Sequence, residues 1–147
     1  MKYKDSFEGA ICIVLLLAND RYPQKISSNE ISELMQSSNA YTKKILANLV
    51  RENVIASDTG KGGGYYLIKN TDDISLLDIY YAIEGKTKNY HPKHLADNFL
   101  EGASDIRSGE EEVASFMEKA EQAYLQRLNS YKISQLIRAH RPERSHT

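Results

Sequence analysis

The sequence predicts a mainly α-helical protein with one small β-hairpin, and three observations in one stretch of the chain support this fold class. Residues 38–53 have the apolar periodicity of an amphipathic helix. Short apolar runs at residues 54–57 and 65–68 are typical of strands, and the glycines between these runs are typical of a hairpin tip. A helix followed by such a hairpin is the order of a winged helix-turn-helix domain, in which the recognition helix precedes the wing.

Two helices are predicted ahead of this stretch. Residues 6–19 are apolar on nearly all sides, so we expect the central helix of a small domain there. Residues 27–30 read Ser-x-x-Glu, a capping box that predicts the start of a second, shorter helix. The apolar face expected on this short helix holds Ile31, Leu34 and Met35. A short helix joined by a few residues to the recognition helix satisfies the helix-turn-helix arrangement.

The recognition helix has signals at both ends and along one face. Ser38 is a favourable N-cap, and Asn53 tolerates the left-handed conformation in which many helices stop. At 100° per residue, one side of the helix collects an apolar set that should face the core. This set consists of Thr42, Ile45, Leu46, Leu49 and Val50.

Beyond the wing, Ser75 should cap a helix over residues 76–84, which Gly85 ends. A helical piece is expected within residues 94–100, and one long helix is predicted from Glu110 to Arg138. The predicted organisation is a winged helix-turn-helix domain at residues 1–85, a connecting loop at 86–109, a dimerisation helix at 110–138 and a flexible tail at 139–147.

An apolar stripe recurs at spacings of three or four along the predicted long helix. Its members are Val113, Met117, Ala120, Tyr124, Leu128 and Tyr131. A helix of this length cannot bury its whole stripe against a small domain, so the stripe indicates a partner. A second copy of the chain is the simplest partner, and we therefore expect a homodimer.

Four short patterns occur in a defined order. They are Tyr41 with Ile45, Leu46 and Leu49, then Gly63-Gly64-Tyr65-x-Leu67, then Asp73-Ile74-Ser75-Leu76-Leu77-Asp78-Ile79, then Ala82-x-Glu84-Gly85. Together they resemble the Rrf2 family of bacterial winged-helix transcription regulators. The resemblance implies a dimeric repressor that binds a pseudo-palindromic operator in double-stranded DNA, with each long helix packed on the partner's DNA-binding domain. Many Rrf2 proteins hold an iron-sulfur cluster with cysteines of the loop that corresponds to residues 86–109. This loop has no cysteine here, so the chain resembles the members without those cysteines, and no cofactor is expected.

On this interpretation, the predicted DNA contacts lie at the starts of the two helices, on the recognition helix and on the wing. They are Ser28, Ser38, Asn39, Tyr41, Lys43, Lys44, Lys61, Gly62, Gly63 and Tyr65. Asn39 is suited to reading adenine, and Lys43 and Lys44 to binding phosphate or guanine. Lys61 and the bare glycine backbone are suited to following the DNA backbone at the minor groove. The competing interpretation is that both recognition-helix lysines are solvated and that Tyr41 packs against the preceding helix.

The charge distribution agrees weakly with DNA binding. Residues 1–70 contain nine Lys and Arg against seven Asp and Glu, whereas residues 71–147 contain ten against thirteen. The longest apolar run, residues 11–18, is too short to span a bilayer and has acidic residues ahead of it, so we expect a cytoplasmic protein without a membrane contact. The acidic second half keeps an alternative open, in which the winged helix docks a partner enzyme.

Few residues suggest other chemistry. The single cysteine, Cys12, excludes a disulfide framework within the chain, and its apolar surroundings predict a buried, inert thiol, with oxidation sensing as the alternative. His91, His94 and Asp97 would stack on one face if they were helical, which is the pattern of a weak metal-site candidate. The glycine run at 60–64 does not fit a phosphate-binding loop, and no catalytic constellation stands out, so we do not expect an enzyme. An effector remains unspecified.

Overall fold

The computed structural model describes residues 4–140 and confirms the mainly helical fold class with a small β-wing. The helices are α1 (Ser6–Leu17), α2 (Ser28–Met35), α3 (Asn39–Arg51), α4 (Leu76–Glu84), α5 (Ala103–Asn129) and α6 (Ile133–Ala139). The strands are β1 (Ile55–Asp58) and β2 (Gly64–Leu67), and short 3-10 turns lie at Thr71–Asp73 and Leu95–Asn98. The chain forms two compact units, the first comprising the residues up to 85 and from 128 onward, the second comprising residues 86–127.

Helices α1, α3 and α4 supply most of the core of the first unit, to which α2, β1 and α6 also contribute. Helix α1 buries the residues Gly9, Ala10, Ile13 and Val14, which share one face. The helix therefore enters the core through this face, as expected of a central helix, whereas the prediction of a buried Cys12 is wrong, because Cys12 is exposed. Because the sequence of α1 is apolar on more than one face, its composition does not reveal which face the neighbouring helices cover.

The predicted N-caps are confirmed, although the capping box predicted at residues 27–30 forms only its Ser27 half. The Ser27 hydroxyl accepts a hydrogen bond from the Glu30 N–H at 3.2 Å, and the Ser38 hydroxyl accepts one from the Tyr41 N–H at 3.1 Å. Ser75 and Asp78 form a full capping box at the start of α4. Asn53 has the predicted left-handed backbone, with φ of 57°.

The face of α2 differs from its prediction at one position. Leu34, expected in the core, is 47% exposed, while Ser32 is buried. Around the axis of α2, Ser32 is rotated about 100° from Ile31 toward the core, whereas Leu34 is rotated about 60° from Ile31 in the opposite direction. The Ser32 hydroxyl is satisfied by the Ser28 carbonyl at 2.8 Å, which removes the usual cost of burying a polar group.

The wing is a two-stranded antiparallel hairpin in which Ile55 pairs with Leu67 and Asp58 pairs with Gly64. A third segment joins it, because Ile26 and Tyr65 exchange two backbone hydrogen bonds of 3.1 and 2.8 Å. Ile26 is fully buried and lies directly before the N-cap of α2. The strand ends from which the wing tip projects, residues 57–58 and 64–66, are here called the wing base, and they are thereby attached to the start of the helix-turn-helix.

The prediction of one helix from Glu110 to Arg138 is wrong at both ends. Helix α5 begins at Ala103 and ends at Asn129, and α6 follows after a break. Within the break, the Tyr131 carbonyl accepts from the Leu76 N–H at 3.0 Å, and the Ile133 N–H donates to the Ile74 carbonyl at 2.8 Å. Backbone groups engaged in these contacts cannot form the hydrogen bonds of a continuous helix. Burial of Ile133 keeps α6 packed in the core of the first unit.

Candidate nucleic-acid interface

Helix α3 presents two lysines because its other face is committed to the core. Thr42, Ile45, Leu46 and Leu49 are buried, while Lys43 and Lys44 are exposed. Within the described residues, neither ammonium group lies in an ion pair with a carboxylate. Two unpaired positive charges in the first turns of a helix are available for an anion, and the helix N-terminus adds a favourable dipole.

Tyr41 is engaged with α1. Its hydroxyl donates to the Asp5 carbonyl at 3.4 Å, and it lies so close to Gly9 that a β-carbon at position 9 would be 2.7 Å from the Tyr41 oxygen. Partial burial is the largest cause of the raised pKa of Tyr41, and the negative charges of Asp5 and Glu8 raise it further. The half-buried ring therefore belongs to the contact between α1 and α3, whereas the competing interpretation had named the preceding helix, α2, as its partner.

Asn39 joins α3 to α2 through both ends of its amide. Its Nδ2 donates to Asn29 Oδ1 at 2.7 Å, and its Oδ1 accepts from the Ser32 hydroxyl at 3.2 Å. The side chain is exposed but bound within the chain, so the geometry favours a residue that fixes the angle of α3. Ser38, the neighbouring residue, uses its hydroxyl as the N-cap.

The wing tip is a glycine turn that carries one lysine. Gly60 and Gly62 have φ of 87° and 79°, conformations that other residues rarely adopt, and the Gly63 N–H donates to the Gly60 carbonyl at 3.1 Å. A β-carbon at Gly63 would lie 2.3 Å from the Asp58 carbonyl oxygen. Lys61 is exposed between these glycines, and the described part of the chain offers it no ion pair. The tip combines a narrow backbone with a free positive charge.

A cluster at the base of the wing escaped the sequence analysis. The Lys25 ammonium forms a short ion pair with Asp58 and lies 5.4 Å from the centroid of the Tyr66 ring. The Tyr66 hydroxyl donates to the other Asp58 oxygen at 3.4 Å. The hydrogen bond from Lys25 holds the pKa of Asp58 below its usual range, and the same bond raises the pKa of Lys25.

The wing base and the start of α2 are close in space. Tyr65 pairs with Ile26, two residues ahead of Ser28, so both predicted contacts lie on one connected part of the first unit. Ser28 is the first residue of α2, whereas Ser27 acts as its cap. Lys25 adds a third polar side chain beside them, and no local pattern marks it because its partner is 33 residues away.

The predicted dimerisation residues separate into two groups. Val113, Met117 and Ala120 are exposed on one side of α5, with Val113 and Met117 48% and 41% accessible. Tyr124 and Leu128 continue this side and are half-buried, while Tyr131 lies in the break after α5. Phe116, beside the stripe, is 71% exposed. Large apolar side chains grouped on one helix are typical of an interface.

The weak metal candidate does not form the arrangement that its spacing suggested. Residues 91–94 are not helical, so His91, His94 and Asp97 do not share a helix face. The Arg107 guanidinium instead contacts His94 Nδ1 at 2.5 Å and Asp97 Oδ2 at 3.2 Å. Glu110 accepts from the same arginine and lies 2.6 Å from His94, and the His94 hydrogen bond is the first cause of its lowered pKa. A guanidinium between these groups disfavours a second cation there.

Helix-turn-helix, wing and exposed lysines define a winged-helix transcriptional regulator as the class of protein. A model of the Rrf2 family, described as an iron-dependent transcriptional regulator, matches residues 3–139. The chain therefore belongs to the Rrf2 family, which confirms the resemblance. No helix within residues 4–140 has the length and apolar character needed to cross a membrane.

Named relatives agree with this assignment. The chain is 29% identical over 136 residues to "Putative HTH-type transcriptional regulator YffB" of Lactococcus lactis subsp. lactis (strain IL1403), covering 92% of this chain and 86% of that protein. It is 36% identical over 104 residues to "Putative HTH-type transcriptional regulator YwgB" of Bacillus subtilis (strain 168), covering 71% and 67%. The structure of CymR, titled the global cysteine regulator of B. subtilis, shares the fold with a TM-score of 0.62 at 20% identity, covering 95% of this chain and 98% of that chain.

The iron dependence in the family description does not fit the donors of this chain. Several thiolates usually hold an iron-sulfur cluster, and these 147 residues supply one cysteine. Desolvation by the neighbouring side chains, followed by the charge of Glu8, raises the pKa of Cys12 and so favours its neutral thiol. Among residues 4–140, no three His, Cys, Asp or Glu side chains come together in a way that could hold a metal ion.

Proposed function

We propose that this Rrf2 protein is a homodimeric repressor that binds an imperfect palindrome in double-stranded DNA without an iron-sulfur cluster. The observation that supports this proposal most directly is the exposure of Lys43 and Lys44 on the outer face of α3, where neither forms an ion pair within residues 4–140. A recognition helix makes its deepest major-groove contacts with the residues of its first turns. Lys43 and Lys44 then contact phosphate or guanine, and the N-terminus of α3 faces the DNA backbone.

The wing supplies the second contact. Its tip offers Lys61 on a backbone without side chains at Gly60, Gly62 and Gly63, which suits a close approach to the DNA backbone. Lys25 holds Asp58 at the base of the wing and neutralises a carboxylate that would otherwise repel phosphate. Gly62, Gly63, Tyr65 and Ser28 complete the proposed contact surface.

Asn39 and Tyr41 have supporting roles in the proposal. The amide of Asn39 is bound to Asn29 and Ser32, and Tyr41 packs on α1, so both residues set the orientation of α3. Ser38 caps the same helix and leaves its remaining backbone N–H groups directed outward. Reading of bases then falls chiefly to Lys43 and Lys44, which are not engaged within the described chain.

Dimerisation accounts for the exposed apolar face of α5. Val113, Phe116 and Met117 are large, apolar and 41% to 71% exposed, which is costly for a monomer in water. A second copy of the same helix covers them in an isologous interface. Two-fold symmetry then presents two recognition helices to two half-sites about one or two helical turns apart.

Selection of bound sequences from random DNA duplexes tests this function. We expect the full chain, purified without iron, to enrich an imperfect palindrome whose half-sites are related by two-fold symmetry. Recovery of unrelated sequences, or an absolute requirement for added iron, would contradict the proposal. Enrichment of one protein partner from a lysate, together with no selected DNA, would favour the alternative of a docking module for a partner enzyme.

A further inference from the structure

In the second unit, the segment after α4 lies along one face of α5. Between residues 107 and 121 of this helix, the half-buried positions Glu110, Ala114 and Glu121 share that face, whereas Val113 and Met117 are exposed. Two ion pairs hold the segment on α5. Lys88 Nζ lies 3.4 Å from Glu118 Oε1, and Arg107 Nη2 lies 3.2 Å from Asp97 Oδ2. The covered face therefore adjoins the apolar stripe, because Met117 lies about 20° from Glu110 around the helix axis.

A cavity of about 240 Å³ lies under this segment. Its walls are the loop residues 88 and 90–92 on one side and Ala114, Glu118 and Glu121 of α5 on the other. The helical positions are four and three residues apart, so they line the cavity in one row. Ala114 carries the smallest side chain of this row and leaves the gap that its larger neighbours surround.

The charges in the cavity do not cancel. Lys88 is paired with Glu118, with 3.4 Å between Nζ and Oε1. The Glu121 carboxylate, in the described part of the chain, accepts a hydrogen bond from the backbone N–H of Asn89 at 3.3 Å and has no ion pair. A single backbone N–H leaves most of the acceptor capacity of a carboxylate unused. The one ammonium group of Lys88 and the two carboxylates of Glu118 and Glu121 leave one excess negative charge among these three side chains.

We propose that this cavity is a binding site for a small organic cation, such as a primary amine with a short apolar body. The ammonium group would bind the Glu121 carboxylate, and Tyr90, which also lines the cavity, would supply an aromatic ring beside it. The apolar body would occupy the space beside Ala114 and Pro92. A volume of about 240 Å³ is below the roughly 300–1,000 Å³ of sites for drug-sized ligands, so the ligand must be small.

The binding itself does not depend on the proposed DNA function, whereas any effect of the ligand on operator affinity does. The test therefore uses the full chain alone. Butylammonium, butyrate and butanol have similar apolar bodies and differ in the charge of the head group. We expect amide NMR titration to show saturable shifts at Asn89, His91 and Ala114 with butylammonium, in the range of millimolar Kd for a ligand with so few atoms. Stronger binding of butyrate, or no saturable shifts with butylammonium, would overturn the proposal.

Two variants test separately the contribution of the Glu121 charge and that of the cavity volume beside Ala114. Glu121→Gln keeps the shape of the side chain and removes its charge, so we expect butylammonium binding to weaken about fivefold or more. Ala114→Leu fills the gap and should abolish binding of the probe while the helix remains folded. Glu112→Gln is the matched control, because Glu112 is exposed on α5 and does not line the cavity. Unchanged binding in both Glu121→Gln and Ala114→Leu would refute the site.

Discussion

The backbone of Gly64 lies directly against the backbone of Ile26. A β-carbon at position 64 would come within 2.8 Å of the Ile26 carbonyl oxygen, a distance that real β-carbons do not adopt. Gly64 also has φ of 144°, a conformation that side chains disfavour. Because Ile26 and Tyr65 are hydrogen-bonded at the same place, this glycine allows the wing to pair with the segment ahead of α2.

We therefore expect Gly64→Ala to destabilise the protein by about 2 kcal/mol or more, since it adds a backbone clash to conformational strain. Gly62→Ala is the control, because Gly62 also has a positive φ but a β-carbon there meets no atom within 4 Å. The control should cost about 1 kcal/mol. Urea unfolding of both variants measures the difference, and equal losses would show that the contact with Ile26 does not matter.

Asn29 and Asn39 should act as one unit in DNA binding. Both Asn29→Ala and Asn39→Ala break the 2.7 Å hydrogen bond between the two helices, so we expect each to lower affinity uniformly across operator variants, with the larger loss in Asn39→Ala, which also removes the Ser32 contact. A base-reading role for Asn39 would give a different result. In that case Asn39→Ala would relax specificity at one base pair, while Asn29→Ala would not. Affinity measured against single-base operator variants distinguishes the two.

The ion pair at the wing base should be visible in an acid titration. Lys25 depresses the pKa of Asp58, so the pair contributes stability above the unfolded aspartate pKa of about 3.9, and this stability is lost as pH falls through the lower folded pKa. Lys25→Gln should return the pKa of Asp58 toward its ordinary range. Carboxyl carbon NMR measures this change directly. A pKa of Asp58 that is the same with and without Lys25 would contradict the assigned cause.

Introducing charge on the exposed side of α5 should separate the proposed dimer. Val113→Asp combined with Met117→Asp places two carboxylates in the apolar stripe, and because both side chains are exposed, each unit should still fold. We expect sedimentation velocity to give a dimer for the unmodified chain and a monomer for the variant. A variant with Glu112→Gln should remain dimeric. An unmodified chain that sediments as a monomer would refute the interface.

Local signals account for what could be predicted from the sequence. The caps at Ser27, Ser38 and Ser75 and the left-handed Asn53 depend on neighbouring residues alone, and all four are confirmed. The same holds for the amphipathic face of α3, which buries Ile45, Leu46 and Leu49. Family patterns built on such signals were sufficient to identify the Rrf2 family.

The features that were missed depend on contacts between distant parts of the chain. The pair Lys25 and Asp58 spans 33 residues, and the break before α6 exists because Ile133 bonds to Ile74. Periodicity cannot report such pairings, since a helix pattern continues through positions that tertiary contacts interrupt. The exposure of Cys12 was missed for the same reason. The sequence of α1 is apolar on more than one face, so it does not indicate which face points outward.

The salt dependence of operator affinity tests the central claim most directly. Kd for a selected duplex would be measured over a series of KCl concentrations for the unmodified chain and for Lys43→Ala, Lys44→Ala and Lys61→Ala. If these lysines contact phosphate, each variant should bind more weakly, with a salt slope smaller by about one, because one fewer counterion is released. Lys119→Ala, an exposed lysine of α5, should match the unmodified chain. Three lysine variants with the affinity and slope of the unmodified chain would contradict DNA binding through α3 and the wing.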